Sequence, residues 1–257
     1  MQKSKQELLS NGAMLTSSVQ TAGYARHILE GSSYRGYYAA ALRSSFHRLP
    51  ADVASARRRS FGRFAEADGD LYDREYEPYY EEKNEAVGDS KRRFFAEIEP
   101  VVRANPTLRQ MVKDVCGMYR DVVGAKGILE VGVHLVRATG SSLTSGEPTP
   151  ERIHRDGNNA FAAVLIDRDC DGGETVIYND DLCESARYTM TESFEMTFAL
   201  DYRIFHEVTS IKPRLGHILG HRDIVIIDMY DLDRLDFIRT NYSVPESIVC
   251  RRRLGKA

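Results

Sequence analysis

The run GILEVGVHLVRA, residues 127–138, opens the part of the chain that decides its fold. Apolar and other residues alternate along it, as expected for a strand with two different faces. Short β-rich runs then follow one another, separated by Gly, Asp and Pro. They are NAFAAVLIDR (159–168), GETVIYND (173–180), SFEMTFAL (193–200), RIFHEVTSI (203–211) and RDIVIIDMYD (222–231). Such strands without a long helix among them predict an antiparallel sandwich or barrel.

The N-terminal half has a different pattern. Residues 1 to about 125 are predicted to be mostly helical, with strand pieces near 59–65. The segment 108–123 carries apolar residues at three- and four-residue steps, which predicts one buried helix face. That face comprises Leu108, Met111, Val112, Val115, Met118, Tyr119 and Val122. We expect one α+β domain over 1–257, with helical support in 1–125 and a jelly-roll core in 126–257.

Composition excludes several classes of protein. Lys plus Arg is 35 and Asp plus Glu is 38, so the net charge of −3 gives no strong basic field for nucleic acid. No apolar run approaches the roughly 18 residues of a membrane span. The N-terminus lacks an apolar signal core, which predicts a cytoplasmic protein. Four cysteines without a CxxC pair argue against a zinc knuckle or a disulfide framework. The sequence leaves open whether the protein forms a homodimer.

Two charged features fit ordinary structural roles. The basic runs 57–59 and 251–253 are interpreted as solvated surface, because no stacking aromatic residues flank them as in nucleic-acid sites. The tyrosine-rich segment DREYEPYYEEKNE, 73–85, is either an exposed loop or a lid over a site.

Chemistry concentrates in the β-rich half. IHRDG (153–157) places His154 and Asp156 two residues apart, and IFHEVTS (204–210) offers His206. Two histidines and one carboxylate form the facial triad of non-haem iron(II) oxygenases. Arg222 begins a later run, and its planar cation suits a carboxylate of 2-oxoglutarate. Each residue also has a structural alternative: core or surface histidines, an Asp-Gly turn, and an edge-strand charge.

Several local patterns carry a family resemblance. The protein resembles the iron(II)/2-oxoglutarate dioxygenases that hydroxylate free L-amino acids, such as L-isoleucine hydroxylases, and the related lysine halogenases and hydroxylases. The patterns are RSFGRF (59–64), RRFFAEIEPVVRANPTL (92–108), GVHLVRA (132–138), IHRDG (153–157), DGGET (171–175), FHEVTS (205–210) and HRDIVII (221–227). The resemblance implies a double-stranded β-helix with helices packed outside it.

The resemblance also implies the site. Its iron(II) ligands are then His154, Asp156 and His206, and Arg222 anchors 2-oxoglutarate. Halogenating relatives have a small residue in place of the ligand carboxylate, so Asp156 implies hydroxylation. The implied partners are a small-molecule amino acid, 2-oxoglutarate and O2. Two other hypotheses remain: a non-catalytic cupin-like binding protein, and an enzyme acting on a peptide or carrier-bound residue.

The side chain of the substrate depends on Glu130. By strand alternation Glu130 and His134 share one face of their run, and both are candidate substrate contacts. A buried carboxylate needs a cationic partner, which the substrate could supply. The sequence therefore predicts a basic amino acid, lysine or a close analogue, with a neutral aliphatic one as the alternative. Glu130 could instead lie at an exposed strand end, or form a buried pair with Arg137 or another local cation.

Overall fold

The computed structural model describes residues 12–52, 57–81 and 91–234. Its α-helices are α1 Gly12–Ala22, α2 Gly36–Ser45, α3 Pro100–Arg103 and α4 Pro106–Val123. The first strands are β1 Tyr24–Ile28, β2 Arg58–Ala67, β3 Asp70–Asp73, β4 Tyr79–Glu81, β5 Lys91–Arg93 and β6 Ala96–Glu97. Then come β7 Leu129–Ser141, β8 Ala160–Asp169, β9 Asp171–Gly172, β10 Thr175–Tyr178, β11 Glu184–Tyr188, β12 Glu195–Ala199, β13 Phe205–Val208, β14 Ile211–Lys212 and β15 Leu219–Asp231.

Two main sheets form the core. The larger has the order β1-β12-β8-β15-β7-β2-β3, with each neighbouring pair antiparallel, and β6 pairs in parallel with β2. The smaller has the order β11-β10-β13. Apolar side chains from both sheets share one cluster, including Ile177 and Tyr188 from the small sheet and Leu165 and Ile224 from the large one. This architecture confirms the predicted jelly-roll core.

The longest helix, α4, shows why the helical layer forms. The Asn105 side chain accepts hydrogen bonds from the backbone N–H groups of Thr107 and Leu108 at 2.9 and 3.2 Å. Pro106 occupies the first turn, and Gly124 ends the helix at φ 70°. The predicted apolar face is buried in a core cluster shared with β7, and Met118 packs partly buried against it. Each fully buried aliphatic side chain contributes roughly 1.5–3 kcal/mol to this packing.

Strand alternation gives the large sheet two different faces. On β7 and β15 the residues Leu129, Val131, Val133, Val225 and Ile227 join the core cluster with the helices. The intervening residues therefore point toward the smaller sheet. On β15 these are Arg222, Ile224, Ile226 and Asp228, all of which line a cavity.

The N-terminal half departs from its expected helical character. All six β-rich runs predicted from residue 127 onward contain strands, but β1, β2 and β3 also belong to the large sheet. Strand β2, which includes the strand pieces anticipated near 59–65, is hydrogen-bonded along most of its length to β7. The large sheet therefore joins strands from both halves of the chain. No helix in the described ranges is long and apolar enough to cross a membrane.

Candidate active site

Three potential metal ligands meet where the loop before β8 lies beside strand β13. The backbone N–H groups of His154 and His206 each donate to the carbonyl of the other residue at 3.0 Å. Asp156 then places Oδ1 3.4 Å from His154 Nε2 and Oδ2 3.6 Å from His206 Nε2. The donor atoms of all three residues lie within 4.8 Å of one another. The structure thus brings together the residues predicted as iron ligands, in an arrangement that could hold one metal ion.

Neighbouring groups fix how these side chains point. His154 Nδ1 donates to the Arg152 carbonyl at 2.7 Å, which leaves the lone pair of Nε2 for a metal. The carboxylate of Asp201 accepts from the backbone N–H groups of Asp156, Gly157 and Asn158 at 3.1, 2.8 and 3.3 Å. Asp201 therefore holds the backbone of the Asp156 loop. Asp201 is buried, and none of these three donors is near it in sequence.

The charges in the site favour metal ligation. Burial opposes ionisation of Asp156, but the hydrogen bond and charge of His154 outweigh it and hold the Asp156 pKa well below its usual range. Burial and the charge of His154 lower the pKa of His206 to about 3. Burial would also lower the pKa of His154, but Asp156 raises it to about 9. The site therefore has an ionised carboxylate and a neutral imidazole, and a bound cation would displace the proton of His154.

The three donors border a cavity of about 880 Å³ between the two sheets. Its size is in the range of small-molecule sites. The wall also contains Arg222, Arg59, Tyr79 and Asp228. The donor set and the access from the cavity both fit a bound metal ion.

Arg222 is a buried cation facing this cavity. Its exposed fraction is 5%, and its Nε has no hydrogen-bond partner in the described ranges. Burial, and then the charge of Arg168, lowers its pKa to about 10. A Cβ on Gly173 would lie 3.2 Å from Arg222 Cδ, and Gly173 has φ +67°, so glycine makes room for this side chain. A buried guanidinium of this kind calls for an anionic ligand.

Comparison with known proteins agrees with this geometry. The sequence model of the 2OG-Fe dioxygenase family matches residues 43–228, more than half of the chain. This chain belongs to the 2OG-Fe dioxygenase family. A comparison with curated proteins gives no match.

Solved structures share the fold of this dioxygenase. A bsmA homolog from Methylobium petroleophilum PM1 has a TM-score of 0.75 at 19% identity, covering 90% of this chain and 97% of its own. IDO from Bacillus thuringiensis has a TM-score of 0.73 at 17% identity, covering 86% and 99%. The Fe(II)/α-ketoglutarate-dependent dioxygenase TqaL has a TM-score of 0.65 at 15% identity, covering 85% and 86%.

Family membership decides between two of the hypotheses from sequence. The family uses Fe(II) and 2-oxoglutarate, so the protein is an oxidoreductase. The hypothesis of a non-catalytic cupin-like binding protein is therefore set aside.

The structure does not place the two candidate substrate contacts on the cavity wall. Glu130 is buried on the inner face of β7, but its carboxylate contacts Arg74 at 2.7 Å and Arg63 at 3.4 Å. This is the buried pair with a local cation that the sequence left open, although Arg137 is not the partner. His134 is fully buried behind the wall, where its Nδ1 accepts from Arg59. Both expectations are corrected for the same reason: other side chains of the protein already pair with Glu130 and His134.

Two residues of the wall were misassigned from sequence. Arg57 and Arg59 were expected on the solvated surface, but both are buried and line the cavity. The alternation in RSFGRF is a sequence signal for the burial of Arg59, because Arg59 shares one face of β2 with Phe61 and Arg63. The other basic run, 251–253, lies outside the described residues.

The tyrosine-rich segment borders the site. Tyr79 lines the cavity, which favours the lid interpretation for the described part of the segment, 73–81. Residues 82–85 lie outside the described ranges. Asp228, near the C-terminal end of β15, is a further wall residue that the sequence patterns did not identify.

A second cluster has metal-ligand chemistry. The donor atoms of Asp167, His221 and Asp223 also lie within 4.8 Å of one another. However, Arg137 contacts both carboxylate oxygens of Asp223 at 2.6 Å. None of these residues lines the cavity.

Proposed function

We propose that this dioxygenase hydroxylates a C–H bond in the side chain of a free amino acid, with Fe(II) held by His154, Asp156 and His206. The observation that carries the proposal is one cavity with this triad and the buried Arg222, whose Nε is unpaired among the described residues, on its wall. Bound Fe(II) supplies the activation of O2 that converts 2-oxoglutarate to succinate and CO2 while the substrate is hydroxylated. Asp156 fills a ligand position, which favours hydroxylation over halide transfer.

The protein's own residues supply binding and orientation. Arg222 receives the distal carboxylate of 2-oxoglutarate through paired hydrogen bonds. Arg152 orients the imidazole of His154, and Asp201 holds the loop of Asp156. The ring of Phe161, 4.5 Å from that of His206, covers the ligand with an apolar surface.

A series of buried polar groups favours a zwitterionic substrate. Arg59 donates through Nε to His134 Nδ1 at 3.1 Å, and His134 Nε2 lies 3.1 Å from Asp228 Oδ2. Asn158 donates to the other oxygen of Asp228 at 3.3 Å. Arg59 and Asp228 therefore present a cation and a carboxyl group to the same cavity. An α-carboxylate would pair with Arg59. Burial and the charge of Asp156 raise the pKa of Asp228 well above its usual value, and an α-ammonium beside it would favour its ionised form.

The cavity favours a neutral aliphatic side chain over a basic one. Glu130, on which the expectation of lysine depended, pairs with arginines and does not line the cavity. The carboxylates of Glu151 and Asp180 do line it, but they pair with Arg57 and Arg155. With Asp156 assigned to the metal and Asp228 to the α-ammonium, no further cavity carboxylate in the described ranges is left to bind a cationic side chain. The wall also has three hydroxyl groups, from Thr149, Thr175 and Thr197, and a set of apolar side chains that includes Pro148, Ile153, Leu182, Phe205 and Ile226.

The test is a competition among leucine, isoleucine, lysine, ornithine and arginine under aerobic conditions. Succinate and hydroxylated product are both measured. We expect coupled hydroxylation of a neutral aliphatic amino acid, and loss of it with the N-acetylated acid or the carboxamide. Preference for lysine would refute the side-chain assignment alone.

A matched pair of variants tests the binding of the head group. Arg59→Gln should raise the KM for the amino acid by about tenfold or more and leave the KM for 2-oxoglutarate unchanged. Arg58→Gln is the control, because Arg58 is the exposed neighbour of Arg59. Turnover of a carrier-bound residue but of no free amino acid would refute the proposed substrate class.

A further inference from the structure

A segment from the N-terminal half crosses the inner face of the large sheet. We call residues 74–81 the strap. It follows β3, and its last residues form β4. The backbone N–H of Arg74 donates to the Arg63 carbonyl at 3.0 Å, and the Tyr76 hydroxyl donates to the Phe95 carbonyl at 2.8 Å. A backbone hydrogen bond thus holds the strap to β2, and a side-chain hydrogen bond holds it to the segment between β5 and β6.

Two ion pairs join the strap to the large sheet: Arg74 with Glu130, and Glu77 with Arg63. Arg74 contacts one oxygen of Glu130 at 2.7 Å, and Arg63 contacts the other at 3.4 Å. Arg63 also pairs with Glu77, on the strap, at 2.7 Å. Arg74 and Glu77 are about half exposed, with exposed side-chain fractions of 44% and 46%, whereas that of Glu130 is 1%. Glu130 is therefore the buried centre of a network with two ends on the strap.

The strap carries one aromatic ring into the cavity wall. The Tyr79 ring centroid lies 4.8 Å from that of His134 and 5.6 Å from that of Phe61. The Arg59 guanidinium lies 5.8 Å from the Tyr79 ring centroid. Tyr79 thus packs against both the head-group residues and the cavity, although it belongs to a surface segment.

We propose that Glu130 is a positioning residue that fastens the strap and thereby fixes Tyr79 as part of the substrate-binding wall. Glu130 acts through Arg63 and Arg74 and does not touch the substrate. The inference rests on the proposed function only in that the substrate occupies this cavity. It accounts for a carboxylate that is buried on the same face of β7 as the cavity residues Val136 and Ala138.

The first test compares Glu130→Gln with Glu66→Gln. Glu66 is a matched control, because it is also a buried carboxylate paired with an arginine, Arg120 of α4, and it does not line the cavity. Both variants should lose stability, which urea unfolding measures. Only Glu130→Gln should speed hydrogen exchange in the strap, a measurement that needs no substrate.

Kinetics with any substrate that the wild type turns over complete the test. Glu130→Gln should raise its KM by about tenfold and lower the hydroxylated product formed per succinate, with the KM for 2-oxoglutarate unchanged, because misplaced groups reduce productive orientation. In a Tyr79→Ala background, Glu130→Gln should have little further effect on this KM, since both act through one element.

Several results would overturn the inference. One is unchanged strap exchange in Glu130→Gln, and another is faster exchange with wild-type KM and coupling. Additive effects of Glu130→Gln and Tyr79→Ala would show that Glu130 does not act through Tyr79. A selective loss of lysine turnover, with leucine turnover retained, would instead make Glu130 a substrate contact. Failure of every free amino acid as a substrate would leave the exchange result intact and refute only the proposed substrate.

Discussion

Two clusters in the described part of the protein have the donors of a metal site, but their surroundings differ. The cluster of His154, Asp156 and His206 borders the cavity, and no arginine pairs with its carboxylate among the described residues. In the other cluster, Asp223 is fully buried, and its two carboxylate oxygens accept from Nε and Nη2 of Arg137. Its single imidazole, His221, lies 3.1 Å from Asp167 and 4.0 Å from Asp223.

Donor spacing alone therefore does not make a metal site. A carboxylate neutralised by arginine has little charge left for a cation, whereas one facing two imidazoles and a cavity keeps it. We therefore expect the first cluster to bind iron and the second to stabilise the fold.

The largest expected effect is the loss of an imidazole ligand. His206→Ala should reduce turnover by more than about 100-fold, beyond the 10- to 100-fold typical of groups that only orient a ligand. His154→Ala should do the same. His221→Ala, from the second cluster, is the control and should retain turnover within about twofold. Product formation under saturating Fe(II) measures all three, and wild-type turnover in His206→Ala would remove it from the ligand set.

The carboxylates should show opposite effects. Asp223→Asn should lower the free energy of unfolding by about 3–5 kcal/mol, because it breaks a buried pair and leaves Arg137 uncompensated. Asp156→Asn should instead abolish Fe(II)-dependent turnover in a protein that remains folded. Urea unfolding and turnover are measured on both variants. A large loss of iron affinity in folded Asp223→Asn would contradict the division.

Arg222→Ala should weaken the binding of 2-oxoglutarate. Truncating a buried charge partner costs about 2–5 kcal/mol, which is about 30-fold to several thousand-fold in affinity. Arg222→Lys keeps the charge but loses the planar fork, so an intermediate loss is expected. The KM for 2-oxoglutarate measures both, and an unchanged KM in Arg222→Ala would place the cosubstrate elsewhere.

The smallest expected effect concerns Asp201, whose carboxylate holds the backbone of the Asp156 loop. Asp201→Asn should weaken Fe(II) binding by about tenfold, in the range for residues that orient a ligand. Asp231→Asn is a control, because Asp231 is also buried but accepts from Asp233 and Tyr119. Isothermal titration with Fe(II) under anaerobic conditions distinguishes them. Equal affinities in the two variants would contradict a role for Asp201 in holding the ligand loop.

The predictable and unpredictable parts of the structure have different physical origins. Periodicity identified the strands and the helix α4, because each must bury one face. The spacing of His154 and Asp156, together with the family resemblance, identified the cluster that the structure brings together. Alternation also gave the correct face for Glu130, but it could not show that a distant strap covers that part of the face.

Other site residues depended on contacts distant in sequence. Arg59 belongs to a basic run that resembles solvated surface until β2 is placed beside β7. Asp201 was missed because its partners are backbone N–H groups of a distant loop, for which no side-chain pattern exists.

The most direct test of the account is the position of iron in a crystal of the Fe(II)-loaded protein grown without oxygen. Anomalous scattering measured at the iron absorption edge locates the metal without assuming its ligands. We predict one peak, within coordination distance of His154, Asp156 and His206, and none beside Asp167, His221 and Asp223. A peak at the second cluster, or no peak at the first, would contradict the assignment of the active site.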